Sequence, residues 1–114
     1  MAQLYQLVPL PQGIFSGLDI VSRAVIGSLY DRIKLSMYNA TGGDDRFYDI
    51  LTGEYFCVFT QQELAELIGV SERTVRRSLD ILKADNLIHW RKATYRGANR
   101  YYLHHGIMEY LAGR

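Results

Sequence analysis

Apolar residues in the first half of the chain recur with the period of a helix. Residues 20–37 contain no proline, and Asp19 stands immediately before them as a suitable N-cap. The apolar positions that share one helical face are Val21, Val25, Ile26, Leu29, Ile33 and Met37. The pattern predicts an amphipathic helix over 20–37, followed by a loop over the turn-forming residues 39–45.

A capping box opens the next predicted helix. In Thr60-Gln61-Gln62-Glu63, the Thr60 hydroxyl and the Glu63 carboxylate can each bind a backbone N–H at the helix start. Gly69 stands where a left-handed C-cap is needed, and the small Ala65 lies four residues before it. The predicted apolar stripe consists of Leu64, Leu67 and Ile68.

A third helix is predicted to start after the cap Ser71 and to run to about Asp85, with Asn86 as its αL terminator. Its inward stripe has helical spacing and consists of Val75, Leu79 and Leu82. With that stripe buried, the opposite face carries Arg73, Arg77 and Asp80, and Arg76 projects from the edge.

Short strands are predicted around this helix pair. Residues 47–59 indicate a hairpin with its turn at 51–54 and a returning strand at 55–59, where Cys57 is expected to be a buried apolar residue. Residues 87–92 and 100–103 are predicted to pair across a loop at 93–99, and residues 107–111 favour a short final helix. Residues 4–8 alternate as a short strand or arm that ends at Pro9.

Helix, tight turn, helix and a two-stranded β unit form the arrangement of a winged helix-turn-helix. The predicted fold class is therefore mostly α with small β elements (α+β), a winged helix-turn-helix with an upstream helix and a β-hairpin. We expect one domain over residues 1–114, with an N-terminal arm at 1–17, the helix-turn-helix at 60–85, the wing at 87–103 and a C-terminal segment at 104–114.

Composition narrows the class of protein. The chain has 114 residues, of which 48% are hydrophobic and 22% charged, so wholesale disorder is excluded. No apolar run is long enough to span a bilayer, and the N-terminus lacks the pattern of a secretory signal. The single cysteine fits a reducing compartment. The expected location is the cytoplasm.

The charge is distributed unevenly, although the net charge is only +1. Residues 71–100 carry eight Lys or Arg against three acids, and the rest of the chain has a net charge of −4. A polyanionic partner and a merely solvated charged face both fit this asymmetry. Three arginines on one predicted helix, beside a basic β unit, favour double-stranded DNA as the partner. The candidate DNA-binding residues are Ser71, Arg73, Thr74, Arg76, Arg77, Arg91, Lys92, Tyr95, Arg96, Asn99 and Arg100.

The ordered segments YQLVPLPQGIFSG, AVIGSLYDRIKLSMYN, FYDILTGEYFCVFTQQELAELIGVSERTVRRSLDIL and ANRYYL together cover most of the chain. The series resembles the N-terminal domain of plasmid replication initiator A proteins. The resemblance implies binding to repeated origin sequences as a homodimer through N-terminal elements. It also implies a separate C-terminal domain that recruits host replication proteins. Because the sequence ends at Arg114, we expect an excised domain or a short homologue.

Two other functions are open: a winged-helix transcription regulator that binds promoter DNA, and a scaffold that binds protein.

An enzyme is not expected. His104 and His105 are adjacent, so in a strand they face opposite ways and cannot share a metal. Asp44, Asp45 and Asp49 lack the spacing of a calcium loop, and no phosphate-binding loop or nucleophile–base pair is apparent. No cofactor or metal is expected.

Overall fold

The computed structural model describes residues 17–93 and 97–113, which contain four helices and five short strands. In chain order these are α1 (Ile20–Thr41), β1 (Tyr48–Asp49), β2 (Glu54–Tyr55), β3 (Cys57–Phe59), α2 (Gln61–Ile68), α3 (Glu72–Ala84), β4 (Ile88–Lys92), β5 (Asn99–Leu103) and α4 (His105–Ala112). The predicted α+β winged helix-turn-helix is confirmed. Residues 1–16 of the predicted arm and the loop residues Tyr95 and Arg96 lie outside the described residues.

Helix α1 begins where predicted but is longer. The Asp19 carboxylate accepts a 2.8 Å hydrogen bond from the Ser22 N–H, and the helix continues to Thr41, so residues 39–41 are not loop. The helix ends about one turn later than predicted, at the C-cap Gly42, whose N–H binds the Asn39 carbonyl at 3.1 Å. Met37, predicted to face inward, is 39% exposed because this last part of α1 extends past the main core.

The predicted hairpin is present, but its returning strand is divided. Strands β1 and β2 pair antiparallel, and the chain then enters β3, which belongs to a second sheet. Phe56 marks the division: its ring packs between Phe47 and Tyr102, with centroid distances of 5.9 and 5.6 Å. Cys57 and Phe59 instead face the main core. The prediction of one strand over 55–59 was wrong because residues 54–55 pair with β1, whereas residues 57–59 pair with β5.

The second sheet has the order β3-β5-β4, with all pairs antiparallel. One face packs on the helices and contributes Cys57, Ile88, Tyr101 and Leu103 to the core. Burial raises the pKa of the Cys57 thiol to about 12, which agrees with its predicted role as a buried apolar residue. Within the described part of the chain, no helix combines the length and hydropathy of a membrane span.

The turn between α2 and α3 has the predicted geometry. Both bonds of the capping box are present, from Glu63 N–H to the Thr60 hydroxyl at 3.0 Å and from Thr60 N–H to the Glu63 carboxylate at 2.9 Å. Gly69 ends α2 in the left-handed region, at φ 86°, and its N–H binds the Ala65 carbonyl at 2.8 Å. This conformation sets the direction in which the chain leaves α2 and enters α3.

The inward faces of α2 and α3 agree with prediction except at one residue. Val75, Leu79 and Leu82 are buried, with exposures of at most 1%. Leu67, predicted to face inward, is 60% exposed. In this eight-residue helix, Leu64 and Ala65 make the buried contact, and Leu67 lies on the solvent side of that pair.

Replacing Val75 with Asp should destabilise the domain, because the substitution buries a carboxylate that has no partner. We expect the free energy of unfolding to fall by about 3–5 kcal/mol. Ile81→Asp is the matched control on the same helix, where the side chain is 40% exposed and the expected change is below about 1 kcal/mol. Urea unfolding of both variants measures the difference, and equal midpoints would contradict the face assignment.

Gly69→Ala and Gly27→Ala should shift stability in opposite directions. Alanine at Gly69 is held in the left-handed region at a cost of about 1 kcal/mol. A Cβ at Gly27, inside α1, meets nothing within 4 Å, so alanine stabilises that helix by up to about 1 kcal/mol. Thermal unfolding should lower Tm for the first variant and raise it for the second. A raised Tm for Gly69→Ala would show that the turn does not need its glycine.

Candidate nucleic-acid interface

The N-terminus of α3 is an ordered polar site. The Ser71 hydroxyl accepts a hydrogen bond from the Thr74 N–H at 3.1 Å, and the two hydroxyls lie 2.9 Å apart. The first N–H groups of a helix point outward and carry the positive end of its dipole. Exposed Ser71 and half-buried Thr74 therefore lie at a position that suits an anion such as a phosphate.

The exposed face of α3 is basic. Arg73, Arg76 and Arg77 are all exposed, opposite the buried Val75 stripe. Arg73 and Arg77 are four residues apart and so lie on one face of the helix. Arg76 leans toward α2, where its Nε donates to the Gln61 side-chain oxygen at 3.3 Å. Sequence reasoning did not select Gln61, because its partner is 15 residues away.

The last turn of α3 contacts the wing. The Lys83 ammonium lies 4.6 Å from the centroid of the Trp90 ring on β4. Such a cation–π contact favours one placement of the two elements. Helix α3 and strand β4 of the wing are therefore in direct contact.

The base of the wing holds two of the predicted residues side by side. Lys92 and Asn99 are register partners at the ends of β4 and β5. Lys92 is exposed, and the Asn99 amide donates to the Tyr101 hydroxyl at 3.2 Å. The Ala93 N–H binds the Ala98 carbonyl at 3.0 Å and closes the loop between the strands. Tyr95 and Arg96, in that loop, lie outside the described residues and remain predictions.

Arg91 and Arg100 lie elsewhere, on the sheet face that points away from the helices. They are register partners in β4 and β5. The Arg100 guanidinium lies 4.7 Å from the centroid of the Phe56 ring. Arg91 forms an ion pair with Asp49 of β1 and donates to the Tyr102 hydroxyl at 3.0 Å. In the structure, these two arginines therefore lie apart from Arg73, Arg76 and Arg77 of α3. Their contact with DNA stays a prediction.

Asp49 is the buried acid at this place, with a side-chain exposure of 5%. Burial alone raises the pKa of its carboxyl. Hydrogen bonds from Tyr102 and from the Leu51 N–H, together with the charge of Arg91, outweigh burial and leave the pKa below its usual value. The Tyr102 hydrogen bond and the charges of Asp49 and Glu54 raise the pKa of Arg91. Asp49 is therefore ionised at neutral pH. No signal in the sequence near Asp49 identifies a partner 42 residues away.

No group of three or more metal-ligating side chains occurs in residues 17–93 and 97–113. The arrangement in this part of the chain can bind anions through arginine, lysine and a helix N-terminus.

Comparisons with known proteins agree with this description. Residues 35–103 match the family model of the Crp-like helix-turn-helix domain. A solved structure of the N-terminal domain of a DNA-binding protein is 20% identical, with a TM-score of 0.61 over 89% of this chain and 73% of that one. A solved structure of a Rep–DNA complex is also 20% identical, with a TM-score of 0.60 over 83% of this chain and 72% of that one. A search of curated proteins gives no match.

Both solved structures share the fold of this chain, and the family model covers its helix-turn-helix and wing strands. The domain is a DNA-binding winged helix-turn-helix, and the chain belongs to the Crp-like helix-turn-helix domain family.

Proposed function

We propose that this domain binds double-stranded DNA sequence-specifically at repeated sites of a replication origin and acts in the initiation of plasmid replication. The observation that best supports sequence-specific DNA binding is the basic, exposed face of α3, which lies opposite a fully buried apolar stripe. The resemblance to plasmid replication initiator A proteins supports the origin as the target. The shared fold with a Rep–DNA complex is consistent with it.

In this proposal, α3 enters the major groove. Arg73 and Arg77 face the base edges, where arginine can pair bidentately with guanine. Ser71 and Thr74 place the start of the helix near a backbone phosphate. Arg76, tied to Gln61, contacts the backbone at the edge of the groove and fixes the register rather than the sequence.

The wing contacts the backbone beside the groove. Lys92 is exposed at the wing base, next to Asn99. Tyr95 and Arg96 in the loop complete this contact, with Arg96 suited to a phosphate or to a narrow minor groove. Arg91 and Arg100 add positive charge on the outer sheet face. Such contacts supply affinity with little dependence on sequence.

The proposed partners follow from the same resemblance. The domain acts as a homodimer through N-terminal elements, so its sites are paired half-sites or close repeats. Host replication proteins bind a further C-terminal domain of the initiator. The proposed location is the cytoplasm, and no catalytic step, metal or cofactor is assigned to the domain.

A winged-helix transcription regulator at promoter DNA is the second candidate. The match to the Crp-like family model is consistent with it, because the helix-turn-helix and wing strands within that match are common to many winged-helix regulators. Selection of bound fragments from a mixture of random and plasmid DNA distinguishes the two. We expect recovered fragments to carry repeated sites from an origin. Recovery of single promoter sites would support the regulator instead, and recovery of no preferred sequence would contradict both.

Arg77→Ala should reduce discrimination between cognate and scrambled DNA. Loss of one bidentate base contact costs about 1–3 kcal/mol of binding free energy on the cognate site only. Titrations on both DNAs measure the ratio of the two affinities. The matched control is Lys34→Ala, which removes one positive charge from α1 beside α4 and should leave the ratio unchanged.

Lys92→Ala and Arg96→Ala should weaken binding to both DNAs alike. Each removes one phosphate contact, so the slope of log K against log salt should fall by about 0.9. Titrations at several salt concentrations measure that slope. If Arg96→Ala abolished discrimination while Arg77→Ala left it intact, the wing would read the sequence and the assignment of α3 would be wrong.

A further inference from the structure

The ion pair between Asp49 and Arg91 joins the hairpin to the wing. The Asp49 Oδ2 accepts from Arg91 Nη2 and from the Tyr102 hydroxyl, the latter at 2.8 Å. Oδ1 accepts from the Leu51 N–H at 3.0 Å, so both carboxylate oxygens are in use. Arg91 Nη2 also donates to the Tyr102 hydroxyl at 3.0 Å. The Asp49 carboxylate, the Tyr102 hydroxyl and Arg91 Nη2 therefore form a closed triangle of hydrogen bonds.

The two members of this ion pair differ in exposure. The Asp49 side chain is 5% exposed, whereas the Arg91 side chain is 44% exposed. Within the described residues, the hydrogen bonds of the guanidinium use Nη2, and its other two nitrogens make none. One edge of the guanidinium is thus held from inside the protein, and the opposite edge is available to an anion in solvent.

The position of Arg91 in the wing suits a phosphate. It is the penultimate residue of β4, immediately before Lys92, and its register partner is Arg100. These positive neighbours repel the guanidinium, and the carboxylates of Asp49 and Glu54 counter that repulsion. A side chain already fixed in this way loses less conformational entropy when it binds.

We propose that Asp49 is a positioning residue for DNA binding: it holds Arg91, with the help of the Tyr102 hydroxyl, so that the exposed edge of the guanidinium contacts a backbone phosphate beside the wing. The inference rests on the proposed DNA-binding function. It assigns to the β1–β2 hairpin a role in DNA affinity, although the hairpin carries no DNA contact of its own in this assignment.

The direction in which DNA affinity changes when Asp49 is removed distinguishes a positioning role from a simple charge effect. A carboxylate near DNA repels phosphates, so its removal should strengthen binding if Asp49 acts only through its charge. If Asp49 positions Arg91, its removal should weaken binding although the protein becomes more positive. The same comparison separates positioning from a purely structural contact, which changes stability but not the number of phosphates bound.

The test measures the affinity of wild type, Asp49→Asn, Arg91→Ala and the double variant for cognate and scrambled DNA from 50 to 200 mM salt. We expect Arg91→Ala to lower the slope of log K against log salt by about 0.9. Over this salt range its affinity then falls about 3.5-fold less than that of wild type. Asp49→Asn should shift the slope in the same direction, on both DNAs alike. The double variant should bind as Arg91→Ala does.

Asp45→Asn is the matched control, because Asp45 is an exposed acid just before the same hairpin. It should leave the slope unchanged and bind as tightly as wild type or slightly more tightly. Tyr102→Phe keeps the ring but removes the hydroxyl, and it should lower the slope without removing a charge. This variant decides the question if Asp49→Asn does not fold, as judged by circular dichroism.

An unchanged or steeper slope for Asp49→Asn would overturn the proposal, as would an unchanged slope for Arg91→Ala. For a misfolded Asp49→Asn, an unchanged slope in Tyr102→Phe would overturn it equally. Failure of the function itself has a different signature: wild type would then show no salt-dependent affinity for either DNA. If wild type shows a normal slope and Arg77→Ala loses discrimination, the proposed DNA-binding function is supported. The Asp49 variants then test the positioning role of Asp49 separately.

Discussion

Burial of Val75, Leu79 and Leu82 against α1 and α2 determines which side of α3 meets solvent, and the rest of the interface depends on it. Successive residues of a helix are about 100° apart around its axis, so a fixed inner face also fixes the outer one. Arg73 and Arg77 are exposed because the stripe opposite them has no contact with water. Core packing and the proposed DNA recognition therefore use different residues of the same helix. The arginines can change with little effect on the core, whereas a change in the stripe alters both.

Two further constraints orient α3 relative to its neighbours. At one end, the left-handed Gly69 sets the turn from α2, with the small Ala65 buried beneath it. At the other end, Lys83 lies over the Trp90 ring of β4. The wing is braced in turn by the hairpin, through Phe56 packed on Tyr102 and through the ion pair of Asp49 with Arg91. The hairpin is remote in sequence from the wing, but it determines how the outer sheet face is presented.

Much of this could be predicted from sequence, because the signals are local. Helix caps at Asp19, Thr60 and Ser71 involve a residue three positions ahead, and the buried stripe of α3 repeats every three or four residues. The errors share a different cause. Leu67 and Met37 have helical spacing, yet among the described residues neither is buried, and spacing alone does not reveal where the core ends. The division of the strand at Phe56 and the ion pair of Arg91 depend on partners more than 40 residues away, which only the folded chain brings into contact.

The charge pattern has a consequence for how the proposed function achieves specificity. A net charge of +1 limits non-specific attraction to DNA, and the surplus of positive charge is confined to residues 71–100. One domain in which two arginines read bases, as proposed, gains only a few kcal/mol of discrimination, at about 1–3 kcal/mol per bidentate contact. Two linked domains on adjacent repeats make the second binding event effectively intramolecular, which multiplies the affinity without any new contact. Because backbone contacts on the wing and α3 add affinity to every sequence equally in this proposal, discrimination depends on the base contacts of α3. On the proposed function, repeated sites multiply the affinity of a domain whose discrimination at a single site is modest.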